Sequence, residues 1–293
     1  MKRSFLSKLH TNGIYYITGA LLLTVGVPLY QYLVLLPQGY SDALVSAENG
    51  ALTPYLFWVG NHFVAILGYR ILSIAAFAAL VSLPFTLFRI IVAQEILGIE
   101  DAEQVAEETY EADHPEQKAS QESEDTGELQ AKETEEASST PILVWQGRGF
   151  SVLAAWTGLL GIIFYLLGTV ASTLYLFVAS SGFTEHTSTP GSFSTILGAM
   201  TIATYTIGGG LLAIACLFFG AMIVRSGMKL WPGIWVAFGY AALAVAALFS
   251  VSAVAVVSAP IEGKAALTTP ALFAFALWVL WFGVMLVRLK PEL

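Results

Sequence analysis

The stretch PYLFWVGNHFVAILGYRILSIAAFAALVSLPFTLFRIIVA, residues 54–93, decides how many times this chain crosses a membrane. A membrane-spanning helix needs about 20 apolar residues to cross about 30 Å of hydrocarbon. Residues 54–93 are about twice that length, so they hold either one span with an extra segment or two spans. Five other stretches are long and apolar enough for one span each: residues 13–36, 150–178, 194–224, 233–258 and 270–287.

The distribution of basic residues distinguishes the two possibilities, because cytoplasmic loops carry the excess of Lys and Arg. With six spans and a cytoplasmic N-terminus, all 13 basic residues except Arg70 and Lys264 fall on the cytoplasmic side. With seven spans, the basic residues of segments 225–229 and 288–290 would fall outside. The sequence therefore predicts an all-α integral membrane protein of six transmembrane helices, with both termini cytoplasmic.

In this arrangement, residues 54–67 lie at the outer membrane interface and the second span crosses at residues 68–93. Tyr55, Trp58 and Tyr69 suit that boundary, because amphipathic aromatic rings favour the head-group level. Pro84 is expected to kink the second span, since proline removes a helical hydrogen bond.

The composition excludes a water-soluble enzyme. Of the 293 residues, 56% are hydrophobic and 12% are charged, and the mean hydropathy is +0.72. Soluble domains carry about 25% charged residues. The sequence predicts a multi-pass protein of the plasma membrane, with the lipid bilayer as its surroundings.

The acidic residues are concentrated in one segment. Of the 21 acidic residues, 16 lie between Glu95 and Glu136, with only Lys118 and Lys132 among them. We therefore divide the chain into a two-span part, 1–94, an acidic cytoplasmic loop, 95–140, and a four-span bundle, 141–293. The loop is expected to be largely disordered. It is a linker or binds a protein partner, and its charge argues against nucleic acid.

The spans carry few groups suited to catalysis. Arg70 and Arg89 lie near opposite ends of the second span, where their side chains are expected to extend to the head groups. Proton-coupled transport needs ionisable residues inside the membrane, and the middles of the spans have none. Cys216 is the single cysteine, so a disulfide within the chain is excluded. No common catalytic motif is present, and no cofactor is predicted.

The fourth span contains the first candidate site. Its polar and small residues are Thr201, Thr204, Tyr205, Gly208, Gly209 and Gly210. Consecutive glycines allow close packing of helices, or allow a helix to unwind and line a ligand site. Both interpretations stay open on the sequence alone.

Two further candidates lie near the membrane surfaces. His62, Glu185 and His186 share the predicted outer side and are residue types that bind metals such as zinc, although simple hydrogen bonding also explains them. Arg225, Lys229 and Trp231 form a short cytoplasmic turn that anchors the topology or contacts lipid head groups.

Three functions follow as hypotheses. The first is a non-enzymatic scaffold or accessory subunit of a membrane complex, acting through helix packing or the acidic loop. The second is a transporter or channel for a neutral or lipophilic solute, using the fourth span. The third is a membrane enzyme that acts on lipid at the outer surface.

Overall fold

The computed structural model describes residues 3–48, 51–96, 141–181, 183, 191–258 and 261–289. Within these ranges the chain is helical and contains no strand. Six of the helices described there are long and apolar enough to span a membrane. The prediction of an all-α protein with six membrane helices is confirmed, and the acidic loop lies outside the described residues.

The six membrane helices are Lys8–Gln38, Phe63–Ile96, Gly149–Ser180, Phe193–Leu230, Gly233–Ser258 and Leu267–Arg288. We name them the first to the sixth span. Each contains the stretch predicted for it, and the second begins five residues before the expected start, at Phe63 instead of Gly68.

Several spans consist of more than one helical segment. In chain order the α-helices are α1 (Arg3–Leu21), α2 (Val27–Tyr30), α3 (Tyr40–Glu48), α4 (Leu52–Asn61), α5 (Phe63–Ala79), α6 (83–96), α7 (Pro141–Ser180), α8 (Phe193–Thr201), α9 (Gly208–Leu230), α10 (Gly233–Ser258) and α11 (Ile261–Arg288). The spans also contain other helical segments. These are the π-helical segments Leu22–Gly26, Gln31–Leu35 and Ile202–Ile207 and the 3-10 turn Leu36–Gln38. The first and fourth spans are therefore distorted helices.

Proline accounts for two of these irregularities. Pro28 lies in α2, between the two π-helical segments of the first span, where its missing N–H interrupts the α-helical ladder. In the second span, α5 ends at Ala79 and the helix resumes at residue 83, immediately before Pro84. The second span is thus interrupted where Pro84 was expected to kink it.

A polar network joins the first span to this interruption. The Tyr16 hydroxyl lies 2.9 Å from the Ser82 Oγ and 2.7 Å from the Thr86 Oγ1. Asn12 donates from Nδ2 to the same Thr86 oxygen at 3.1 Å. The network holds the turn at Ser82 and the start of α6 against the first span.

Glycines allow the spans to approach closely. The first span packs on the sixth, and the fourth packs on the third and the fifth. A Cβ placed on Gly283 would lie 2.9 Å from the Gly13 carbonyl oxygen, and one placed on Gly220 would lie 2.8 Å from the Gly239 carbonyl oxygen. Such contacts leave no room for larger residues, as is usual between membrane helices.

Candidate ligand-binding site

Arg70 is a half-buried residue of the second span. It is in α5, seven residues after Phe63 and so about 10 Å along the helix from its start. Its Nε atom is fully buried and has no hydrogen-bond partner. No acidic side chain forms an ion pair with Arg70 in the part of the chain that the structure describes. We expected this side chain to extend to the head groups, and the position of the bilayer along the second span leaves that a prediction.

Five tyrosines lie near enough to Arg70 to interact with it electrostatically. Electrostatic interactions connect it to Tyr40, Tyr55, Tyr69, Tyr165 and Tyr205. They come from α3, α4, α5, α7 and the π-helical segment Ile202–Ile207, in that order. We call Arg70 and these five residues the arginine–tyrosine cluster. It joins the second, third and fourth spans to the two short helices between the first and second spans.

The end of the first span positions Tyr40. Gly39 follows the 3-10 turn Leu36–Gln38 with a φ of 83°, a left-handed conformation that glycine adopts without strain. The chain reverses there and begins α3 at Tyr40. The Trp58 ring packs on Tyr40, with centroids 5.2 Å apart, and donates from Nε1 to the Gln38 carbonyl at 2.6 Å. Trp58 thus attaches α4 to this turn.

Close packing fixes the position of α5. A Cβ on Gly68 would overlap the Tyr30 hydroxyl, so glycine at this position lets the Tyr30 side chain of the first span lie against α5. Tyr69 and Arg70 follow directly in sequence. Tyr30 lies in α2 between two π-helical segments, and such segments are frequent at functional sites.

The third and fourth spans supply the deeper tyrosines. The Tyr165 ring stacks on Phe77 with centroids 3.9 Å apart and meets the Tyr205 ring edge-on at 5.8 Å. Tyr205 lies within the π-helical segment Ile202–Ile207. A π-helical turn holds one more residue than an α-helical turn, so this segment sets the direction in which Tyr205 points.

The tyrosines do not neutralise Arg70 at neutral pH. An ordinary tyrosine has a pKa of about 10. Burial raises the pKa of Tyr40 further, and the nearby Tyr55 adds to the rise. The Tyr40 hydroxyl is therefore uncharged at neutral pH. Arg70 is the positively charged member of the cluster.

This chemistry suits an anion. An arginine guanidinium has five N–H donors and no acceptor, and it binds carboxylates and phosphates through paired bonds. A charged side chain within a membrane helix is costly unless it is paired. The arrangement can hold the anionic group of a ligand whose remaining atoms are apolar.

The polar residues predicted to form one face of the fourth span have different partners. Tyr205 belongs to the arginine–tyrosine cluster. Thr201 and Thr204 donate to carbonyls of their own helix, at Leu197 (2.7 Å) and Met200 (2.8 Å).

The small residues of this face lie against other spans. A Cβ on Gly168 of the third span would overlap the Thr204 Oγ1. Gly208 packs on Gly161 of the third span, a Cβ added to Gly209 would lie 3.6 Å from the Phe249 ring of the fifth span, and Gly210 faces open space. Except for Tyr205 and Gly210, this face is therefore occupied by helix packing.

The predicted metal ligands are only partly described. Glu185 and His186 lie outside the described residues. His62 lies between α4 and α5, and its Nδ1 is 3.0 Å from the Trp58 carbonyl oxygen. The described residues contain no group of three or more metal-binding side chains.

The three residues of the predicted head-group turn differ in their exposure. Arg225 and Lys229 are exposed, whereas Trp231 is only 5% exposed and packs on Trp235 with ring centroids 5.2 Å apart. Gly227 has a φ of 56° inside this turn. The chain bends there, and the Trp231 ring lies against protein.

Sequence reasoning missed Arg70, Tyr40 and Tyr165 as site residues and assigned Tyr55 and Tyr69 to the interface. The available signal was Arg70 itself, one of only two basic residues that the charge rule leaves on the outer side. Comparison of the chain with protein-family models, curated proteins and solved structures finds no match to any of them.

Proposed function

We propose that this protein binds the anionic head group of an amphipathic, lipid-like ligand within the membrane, with Arg70 as the principal contact. The observation that carries the proposal is the buried Arg70 Nε without a hydrogen-bond partner. Tyr40 and Tyr69 are proposed to help orient the same anionic group through their hydroxyls. This function falls between the solute-transport and lipid-enzyme hypotheses and commits to neither a transport nor a chemical step.

The energetics support an anionic ligand. An intramembrane charge costs about 2.5–3.5 kcal/mol at a helix centre on insertion scales. Each hydrogen bond to a charged group returns about 1.5–3 kcal/mol. A phosphate or carboxylate that accepts two bonds from Arg70 would therefore offset the cost of keeping the charge in the bundle.

We infer a direction of approach from the distribution of basic residues. With both termini cytoplasmic and the plasma membrane as the location, α3, α4 and the start of α5 lie on the outer side. Arg70 is then an exception to the positive-inside rule. A binding role explains why a basic residue is retained there.

Matched pairs of amphiphiles test the proposal. We expect the full chain, purified in neutral detergent and stripped of lipid, to bind phosphatidic acid but not the diacylglycerol with the same tails. A fatty acid should likewise bind better than the corresponding fatty alcohol. Native mass spectrometry measures both comparisons.

Competition by inorganic phosphate tests whether the ligand is a lipid or a water-soluble anion. If free phosphate competes as well as phosphatidic acid at equal concentration, the ligand is a water-soluble anion and not a lipid. Equal binding of the charged and uncharged partners in both pairs would contradict the proposal.

The scaffold or accessory-subunit hypothesis stays a prediction. It rests on helix packing or on the acidic loop, and if the loop is the binding segment it predicts a co-purifying protein that is lost when residues 113–140 are deleted. Native mass spectrometry of the full chain and of the deletion variant checks this. An unchanged monomer or homo-oligomer in both samples would remove the acidic loop as a binding segment.

A further inference from the structure

A pocket lies beside the two short helices, apart from the arginine–tyrosine cluster. Its volume is about 490 Å³, and Asp42, Ser46, Thr53, Phe57, Trp58 and His62 are among the residues that line it. Arg70 and its five tyrosines do not line it. The pocket therefore calls for a separate explanation.

The pocket carries a negative charge. Asp42 is the only Asp, Glu, Lys or Arg among its lining residues. It lies in the first turn of α3, and no ion pair of its carboxylate is present among the described residues. The Ser46 hydroxyl donates at 2.8 Å to the Asp42 backbone carbonyl, so this bond leaves the carboxylate free to accept other donors.

His62 adds a second acceptor. Its Nδ1 lies 3.0 Å from the Trp58 carbonyl oxygen, and a carbonyl oxygen can only accept a hydrogen bond. Nδ1 therefore carries the proton, and in the neutral ring Nε2 has a free lone pair. The His62 ring stacks on Trp58 with centroids 4.8 Å apart and planes 18° from parallel, which fixes its orientation.

The indole of Trp58 does not act as a donor to the pocket. Its Nε1 is already engaged with the Gln38 carbonyl at 2.6 Å. The Trp58 and Phe57 rings instead form an apolar part of the pocket wall. The pocket thus combines a carboxylate, an acceptor nitrogen and aromatic surface, which together favour a ligand that is cationic, donates hydrogen bonds and has an alkyl part.

We propose that this pocket binds a primary ammonium group carried on an alkyl chain, with Asp42 and the His62 Nε2 as its acceptors. The proposal is independent of the anion site, because no residue of the arginine–tyrosine cluster lines the pocket. A free alkylamine and an amine-bearing amphiphile share this chemistry, and the experiment distinguishes them.

The test compares amines with isosteric alcohols by calorimetric titration of the full chain in neutral detergent. We expect butylammonium to bind and butanol not to bind if the ligand comes from water. If the ligand comes from the bilayer, we expect dodecylammonium to bind and butylammonium and dodecanol not to bind. Equal binding of an amine and its alcohol, or no binding of either amine, would overturn the proposal.

Two variants assign the contacts. Asp42→Asn should weaken ammonium binding by about tenfold to a hundredfold, and His62→Gln by a smaller factor, because a charged acceptor contributes more than a neutral one. Glu95→Gln removes the same charge at the far end of the second span and serves as the matched control. If Asp42→Asn binds as the unaltered chain does, or if Glu95→Gln weakens binding equally, the assignment is wrong.

Discussion

Replacing Arg70 by methionine is expected to abolish binding of the anionic amphiphile without destabilising the ligand-free protein. The loss of two charge-assisted hydrogen bonds, each worth about 1.5–3 kcal/mol, corresponds to at least about a hundredfold weaker binding. Methionine fills similar apolar space and carries no charge into the bundle. Because an unpaired buried charge is itself costly, the free energy of unfolding should stay the same or rise by about 1 kcal/mol.

The two readouts together make this test decisive. Native mass spectrometry of phosphatidic acid binding gives the first, and thermal unfolding in detergent gives the second. Arg89→Met is the matched control, because Arg89 is an exposed arginine near the other end of the same span. It should change neither readout. Arg70→Lys should bind with intermediate affinity, since lysine keeps the charge but cannot form the paired bonds.

A different result for Arg70→Met would assign a structural role to Arg70. If the variant unfolds more readily than the unaltered chain in the absence of any ligand, then the protein itself supplies the compensation for the charge. The tyrosines would in that case serve to stabilise the arginine, and the ligand proposal would fail.

Replacing Gly161 by valine is expected to separate the third and fourth spans. A Cβ at this position would lie 2.8 Å from the Leu212 Cγ, 3.0 Å from the Gly208 carbonyl oxygen and 3.0 Å from the Leu212 backbone nitrogen. Backbone atoms cannot move aside as a flexible side chain can. Overpacking of this kind costs about 1–3 kcal/mol, measured as a loss of thermal or denaturant stability.

Gly210→Val is the matched control, because a Cβ there meets nothing within 4 Å. Both variants make the same change within a helix, so the difference between them measures packing alone. Similar stability of the two would contradict the packing interpretation. If Gly210→Val abolished ligand binding while Gly161→Val preserved it, the glycines of the fourth span would line the ligand site, as the sequence also allowed.

Hydropathy was sufficient to predict the spans, because about 20 consecutive apolar residues leave little alternative to a membrane helix. The second span was the difficult case, and its start at Phe63 depended on a local detail. His62 closes the end of α4 with its ring and backbone nitrogens on the Trp58 carbonyl, at 3.0 Å each. No periodicity in the sequence indicates such a bond.

The arginine–tyrosine cluster could not be predicted for a different reason. The sequence places Arg70 near the end of a span, but the direction of its side chain depends on how the helix is rotated. Tertiary contacts set that rotation, including the close approach of Gly68 to Tyr30 and that of Gly19 to Ala76, where an added Cβ would lie 2.9 Å from the Ala76 carbonyl oxygen. Tyrosine is common both at the membrane interface and in ligand sites. The residue type of Tyr55 and Tyr69 therefore does not tell these two locations apart.

Trp231 illustrates the same limit. A tryptophan beside two basic residues at the end of a span is typical of the head-group region. The positive φ of Gly227 turns the chain and directs the ring inward instead. The sequence contains the glycine, but only the packed structure shows that it adopts this conformation.

The length of the second span affects how the chain enters the membrane during its biosynthesis. Phe63–Ile96 has 34 residues, and about 20 are enough to cross. Residues 71–96 can therefore be released into the bilayer by the insertion machinery while Arg70 stays among the head groups. We therefore expect Arg70 to be buried only when the tyrosine-bearing helices pack beside it, and its charge not to oppose insertion of the second span.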